Sequence, residues 1–214
     1  MTPSRILTLA AGIAAPVLFV AGQALLPNLG RDVEPAFTLM LEHRDQLIVS
    51  RLLTAAGSYL MLVTLWLIAR AGGRVTRIGA VIAAVGTFFN AFSQGVQGYA
   101  AWGSTAPGLD HRATMQTLLH LEDGLAGLPV SYWSIPVFGL GILVVGVGGL
   151  LVRTSPWWVP MLLLVGAVLA FATAGLGPVV ALTQAPLAIA LVALVLPSIP
   201  TLVPEPIPVH AERR

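Results

Sequence analysis

Three short clusters hold the residues of this chain best suited to moving a proton or holding an ion: Glu42-His43-Arg44-Asp45, Asp110-His111-Arg112 and His120-Leu121-Glu122-Asp123. A carboxylate at a water–lipid boundary is desolvated, which favours its protonated form and suits general-acid work. Glu122, Asp123 and Glu42 are therefore the candidate acids or bases, with His120 assisting. Arg51 is the candidate counter-charge, and a guanidinium can also grip a phosphate or carboxylate with two hydrogen bonds. The plainer reading is a wet interface loop whose opposite charges pair weakly. A metal site on His43, His111 and His120 lacks suitable spacing, because His120 and Glu122 are two residues apart and do not share a helix face. No metal and no cofactor is expected. The chain has no cysteine for thiolate chemistry and no lysine for a Schiff base, and it carries no phosphate loop or nucleophile elbow.

A second set of polar residues lies inside apolar sequence. Asn90, Ser93, Gln94 and Gln97 recur at i, i+3, i+4 and i+7, one face of a helix. Arg51, Thr54 and Ser58 recur at i, i+3 and i+7 in the preceding apolar run, and Gln23, Ser131, Tyr132, Ser134 and Gln184 sit toward the same side. The opposite halves of these runs, such as Val144–Val152 and Ala188–Leu196, have no polar side chain. Polar groups are costly in lipid, so their positions are informative. One-sided polarity suits a bundle closed on its inner face, with an outward polar half-pocket lined by Arg51, Asn90, Gln94, Gln97 and Ser58. The competing role is interhelical glue, worth about 0.6 kcal/mol per contact.

The framework that carries these groups follows from composition. The 214 residues are 57 % hydrophobic and 9 % charged, with mean hydropathy +0.88. A globular chain has roughly 25 % charged residues, so there is too little charge here to cover a soluble domain. The chain reads as an integral membrane protein, and its few charges exclude a nucleic-acid surface. The fold expected is all-α, a polytopic bundle forming one transmembrane domain over residues 1–203, followed by a disordered cytoplasmic tail at 204–214. Apolar runs near 6–26, 52–69, 78–102, 128–152, 156–175 and 178–197 give six spans of about 20 residues each. The first has a short basic start like a signal peptide, but its full spanning length makes it a membrane helix.

Orientation follows the arginines. With the N-terminus inside, Arg5, Arg70, Arg74, Arg77, Arg153, Arg213 and Arg214 are cytoplasmic and Arg31, Arg44, Arg51 and Arg112 are outside. That places the chain in the inner (plasma) membrane as a multi-pass protein with both termini cytoplasmic. In Glu34–Leu47 the apolar Phe37, Met40, Leu41 and Leu47 recur at helical spacing, predicting an interfacial amphipathic helix before the second span, or an extension of that span. The connection Gly103–Gly127 opens with a turn at Pro107-Gly108 and is expected to be helical over Met115–Leu121.

Glu42-His-Arg-Asp-Gln-Leu47 leading into Arg51-Leu-Leu-Thr-Ala-Ala-Gly57, and then the turn Arg153-Thr-Ser-Pro-Trp157, give the first 170 or so residues a plan that resembles a loose group of uncharacterised actinobacterial multi-pass membrane proteins. The resemblance implies a bacterial helical bundle and brings no activity with it. Three functions stay open. The half-pocket could bind a small amphiphile, a lipid headgroup or an extracytoplasmic partner. The carboxylates could serve a membrane-embedded acid–base enzyme acting on a lipidic or isoprenoid substrate. The polar stripe could be the interface of an accessory subunit with a partner membrane protein. Membrane lipid is an expected partner in every case.

Overall fold

A computed structural model describes residues 3–28, 33–110, 112–117, 120, 129–153, 155–173 and 178–196. Every regular element among them is helical. The main helices are α1 (Pro3–Ala24), α2 (Val33–Glu42), α3 (Arg44–Ala71), α4 (Arg74–Ser104), α5 (Pro129–Val152), α6 (Trp158–Ala172) and α7 (Val179–Val195). Among the described residues, four segments are long and apolar enough to cross a membrane: Ile6–Ala24, Arg44–Ala71, Arg74–Ser104 and Trp133–Val152. The apolar helices α6 and α7 are shorter, at 15 and 17 residues.

The helices close into a ring. In chain order α1 packs on α3, α3 on α4, α4 on α5, α5 on α6 and α6 on α7, and α7 returns to α1. Each of the six contributes to one core, which includes Ala15, Leu65, Ala83, Ile142, Leu163 and Leu191.

The helices meet on small residues. On α3, Leu47, Ser50, Thr54, Gly57, Met61, Thr64 and Ile68 are all buried and alternate at spacings of three and four, the seam of a left-handed helix pair. Two hydroxyls on this seam donate to backbone carbonyls of α1, Ser50 Oγ to Gly22 O at 2.7 Å and Thr64 Oγ1 to Gly12 O at 2.8 Å. Between them the backbones approach so closely that a Cβ on Gly57 would stand 2.5 Å from the Phe19 nitrogen. Small residues and hydroxyl-to-carbonyl bonds are how helices associate where apolar burial gives no net drive. The α4–α5 crossing repeats the device. Thr76, Gly79, Ala83 and Gly86 form a buried seam at the same spacing, and Gly141 of α5 sits directly on the Ala83 backbone.

Two sequence expectations are refined. The amphipathic stretch splits at His43, whose φ of −110° and ψ of 27° depart from the helical region. Phe37 is buried on α2, whereas Leu47 belongs to α3, which starts at Arg44 rather than Leu52. The Pro107-Gly108 turn is present, with Gly108 at φ +84°, a conformation open to glycine at no steric cost. Of the stretch expected to be helical over Met115–Leu121, the described residues 115–117 and 120 are helical, and the helix is already formed at Arg112. The tail at 204–214 lies outside the described residues.

Candidate functional site

The polar residues of α3 and α4 form one hydrogen-bonded chain. Arg51 Nη1 donates to Gln94 Oε1. Gln94 Nε2 donates in turn to Asn90 Oδ1 at 3.4 Å, and Asn90 Nδ2 to Ser58 Oγ at 3.0 Å. The chain runs from a half-buried cation to a fully buried hydroxyl, and it crosses the helix interface twice. Each amide uses its oxygen and its nitrogen, so the network passes from charge to core without stranding a buried polar group. Backbone proximity sets its geometry. Gly98 of α4 lies against the Arg51 stem, where a Cβ would meet Arg51 Cβ at 2.7 Å, and this fixes the level at which the guanidinium emerges.

The network lies toward the end of the bundle where α3 begins and α4 finishes. That end is tied by Arg44, whose guanidinium carbon stands 4.2 Å from the Trp102 ring centroid while Nε donates to the Trp102 carbonyl at 3.1 Å. Gln46 Nε2 reaches the Leu25 carbonyl of the segment after α1 at 2.9 Å. Sequence reasoning missed both ties. The isolated signal was an arginine and a tryptophan at the facing ends of two apolar runs, which is also the ordinary pattern of a membrane-interface belt.

The structure sorts the candidate residues differently from their spacing. Arg51, Ser58, Asn90 and Gln94 come together. Thr54, on the same stripe of sequence, turns away to α1, where it lies against Gly22 and bonds back to the Ser50 carbonyl at 2.9 Å. Ser93 is buried on α4. Gln97 is half-buried one turn beyond Gln94 and joins none of these bonds.

Of the ionisable clusters, the first is described in full and the other two in part. Glu42 and His43 are exposed at the α2–α3 break, and Asp45 is exposed in the first turn of α3, where a carboxylate complements the helix dipole. Asp110 acts as a helix cap, its Oδ1 accepting from the Arg112 and Ala113 backbone nitrogens at 2.9 and 3.3 Å. His120 is exposed, while His111, Glu122 and Asp123 lie outside the described residues. Among the described residues no group of three His, Asp or Glu side chains could hold a metal ion.

Among the described residues, fold and site together define a class: an all-helical ring with four helices of membrane-crossing length and, between the second and third of them, a polar network running from half-buried Arg51 to buried Ser58. No family model, no curated protein and no solved structure matches the chain.

Proposed function

We propose that the chain is a six-span integral protein of the plasma membrane whose outer half binds the anionic group of a lipid headgroup or small amphiphile at Arg51. The observation that carries this is the continuous bond chain Arg51–Gln94–Asn90–Ser58. An ionisable side chain inside an apolar bundle is expensive, and its default reading is functional. Here three neutral residues are spent on orienting one guanidinium, a planar group that stays charged at any physiological pH. Phosphate and carboxylate are the groups that match its planar fork.

The membrane arrangement is supported by the ring. Although α6 and α7 are short against the roughly 20 residues of a standard span, each packs on both neighbours as a full member, and α7 closes on α1. A bilayer accommodates short helices by local thinning at a modest cost. Arg70, Arg74, Arg77 and Arg153 cluster at the end opposite Trp102, and a basic end is the cytoplasmic one. The same orientation lays α2 on the outer interface, with Phe37 turned inward.

Native mass spectrometry of the detergent-purified protein, with lipid extraction from the same sample, tests the binding reading. The expected result is a retained acidic molecule that is lost in Arg51→Ala and weakened in Gln94→Leu. A folded wild-type protein carrying no such molecule, or retention unchanged in Arg51→Ala, overturns it.

A further inference from the structure

At the end remote from Arg51, five helices converge on a cavity of about 210 Å³. Its walls include Ile68 of α3, Val145 of α5, Leu163 of α6 and Leu194 of α7, and two hydroxyl residues, Thr76 of α4 and Ser155 of the α5–α6 connection, complete them. Ser155 Oγ is buried and makes no hydrogen bond. Elsewhere in the bundle hydroxyls taken out of water have found partners, as Ser50, Ser58, Thr64 and Thr87 do. A buried hydroxyl without a partner is the costly exception, and such a group calls for its own explanation. An apolar cavity of about 150 Å³ holds a benzene ring. The space here suits a slightly larger body, and apolar walls with one or two directing polar groups are the usual make-up of a small-molecule site.

We infer that this cavity is a second binding site, for a small neutral amphiphile the size of a substituted benzene ring carrying one alcohol or phenol group that hydrogen-bonds Ser155. The walls supply affinity for the ring, and the Ser155 hydroxyl supplies the preference for an alcohol over the matching hydrocarbon. The site shares no residue with the Arg51 network, so it stands or falls independently of the outer-face proposal.

The test uses the full chain in lipid nanodiscs and a benzyl alcohol bearing a phenyldiazirine, with photolabelled residues mapped by mass spectrometry. Saturable labelling is expected on the segments around Ser155–Leu163 and Ile68–Thr76. At equal membrane concentration benzyl alcohol should compete about fivefold better than toluene, the factor one net hydrogen bond provides. Ser155→Ala should erase that preference while labelling persists, and Gly149→Leu, which fills the cavity from α5, should abolish labelling there. Should Gly149→Leu fail to fold, the selectivity of Ser155→Ala decides alone. Non-saturable labelling of these segments, or a preference for the alcohol unchanged in Ser155→Ala, overturns the inference.

Discussion

Asn90 Nδ2 donates to Ser58 Oγ at 3.0 Å, with Ser58, 1 % exposed, close to the midpoint of α3 and Asn90, 9 % exposed, close to the midpoint of α4. This pair anchors the neutral end of the polar network. A double-mutant cycle on Ser58→Ala and Asn90→Ala should give a coupling near 0.6 kcal/mol and no more than about 1.7 kcal/mol, the range of interhelical bonds in lipid. Reversible unfolding in bicelles measures it, and purely additive effects would sink the pairing.

Glycine substitutions should separate contact from propensity. Gly57 and Gly141 stand where the backbones of neighbouring helices touch, so Gly57→Val or Gly141→Val should force α1 from α3 or α4 from α5 and abolish monodisperse protein. Gly95 has nothing within 4 Å of an added Cβ, so Gly95→Ala should be tolerated and should stabilise the helix by up to about 1 kcal/mol. Size-exclusion profiles and thermal midpoints decide, and equal tolerance at Gly57 and Gly95 would refute the close crossing.

Charge and shape at position 51 are separable. Arg51→Lys keeps the cation but loses the planar fork, so retention of an acidic ligand should fall about tenfold or more, roughly one hydrogen bond to a charged group. Arg51→Gln should abolish retention while leaving the bundle folded. Lipid-exchange titration monitored by native mass spectrometry gives the ratio. Equal retention by Lys and Arg would reduce Arg51 to a point charge.

The Arg44–Trp102 contact closes the α3–α4 pair at its open end. Trp102→Leu removes the ring face but leaves the carbonyl that Arg44 Nε reaches, and it should cost about 0.5–1 kcal/mol, the value of a partly exposed cation–π pair. In an Arg44→Gln background the same substitution should cost less. Thermal midpoints of the four proteins provide the comparison.

Because the sequence has no cysteine, single cysteines report topology against a silent background. Cysteine at Gly108, in the turn after α4, should react with a membrane-impermeant maleimide in intact cells. Cysteine at Arg74 should react only after the membrane is opened. The reverse pattern would invert the orientation and place Arg51 in the cytoplasmic half.

Much of this architecture is legible without coordinates because lipid-like sequence leaves few alternatives. A run of about 20 apolar residues has to satisfy its backbone internally, so helices at 6–26, 52–69, 78–102 and 128–152 follow from hydropathy alone. The stripe Asn90–Gln94 was equally visible, since 3.6-residue periodicity is a local property. What spacing could not decide is which neighbour each residue meets. Arg51, Thr54 and Ser58 fall within about 60° of arc on α3, yet Thr54 faces α1 while Arg51 and Ser58 face α4. That division depends on where Gly22 and Gly57 let α1 approach, hence on contacts between residues far apart in the chain.

The charged clusters make the same point in the other direction. Glu42, His43, Arg44 and Asp45 look like one site in sequence, but Glu42, His43 and Asp45 are exposed around the break at His43, while Arg44 reaches Trp102 of α4. Composition and periodicity thus determined that the chain is helical, where its helices lie and which residues are polar against an apolar background. The tertiary structure alone decided the ring order, the pairing of Arg51 through Gln94 and Asn90 to Ser58, and the cavity beside Ser155. Each of these arises from backbone distances of a few ångströms between helices, a quantity set by the sum of small residues across an interface rather than by any one segment.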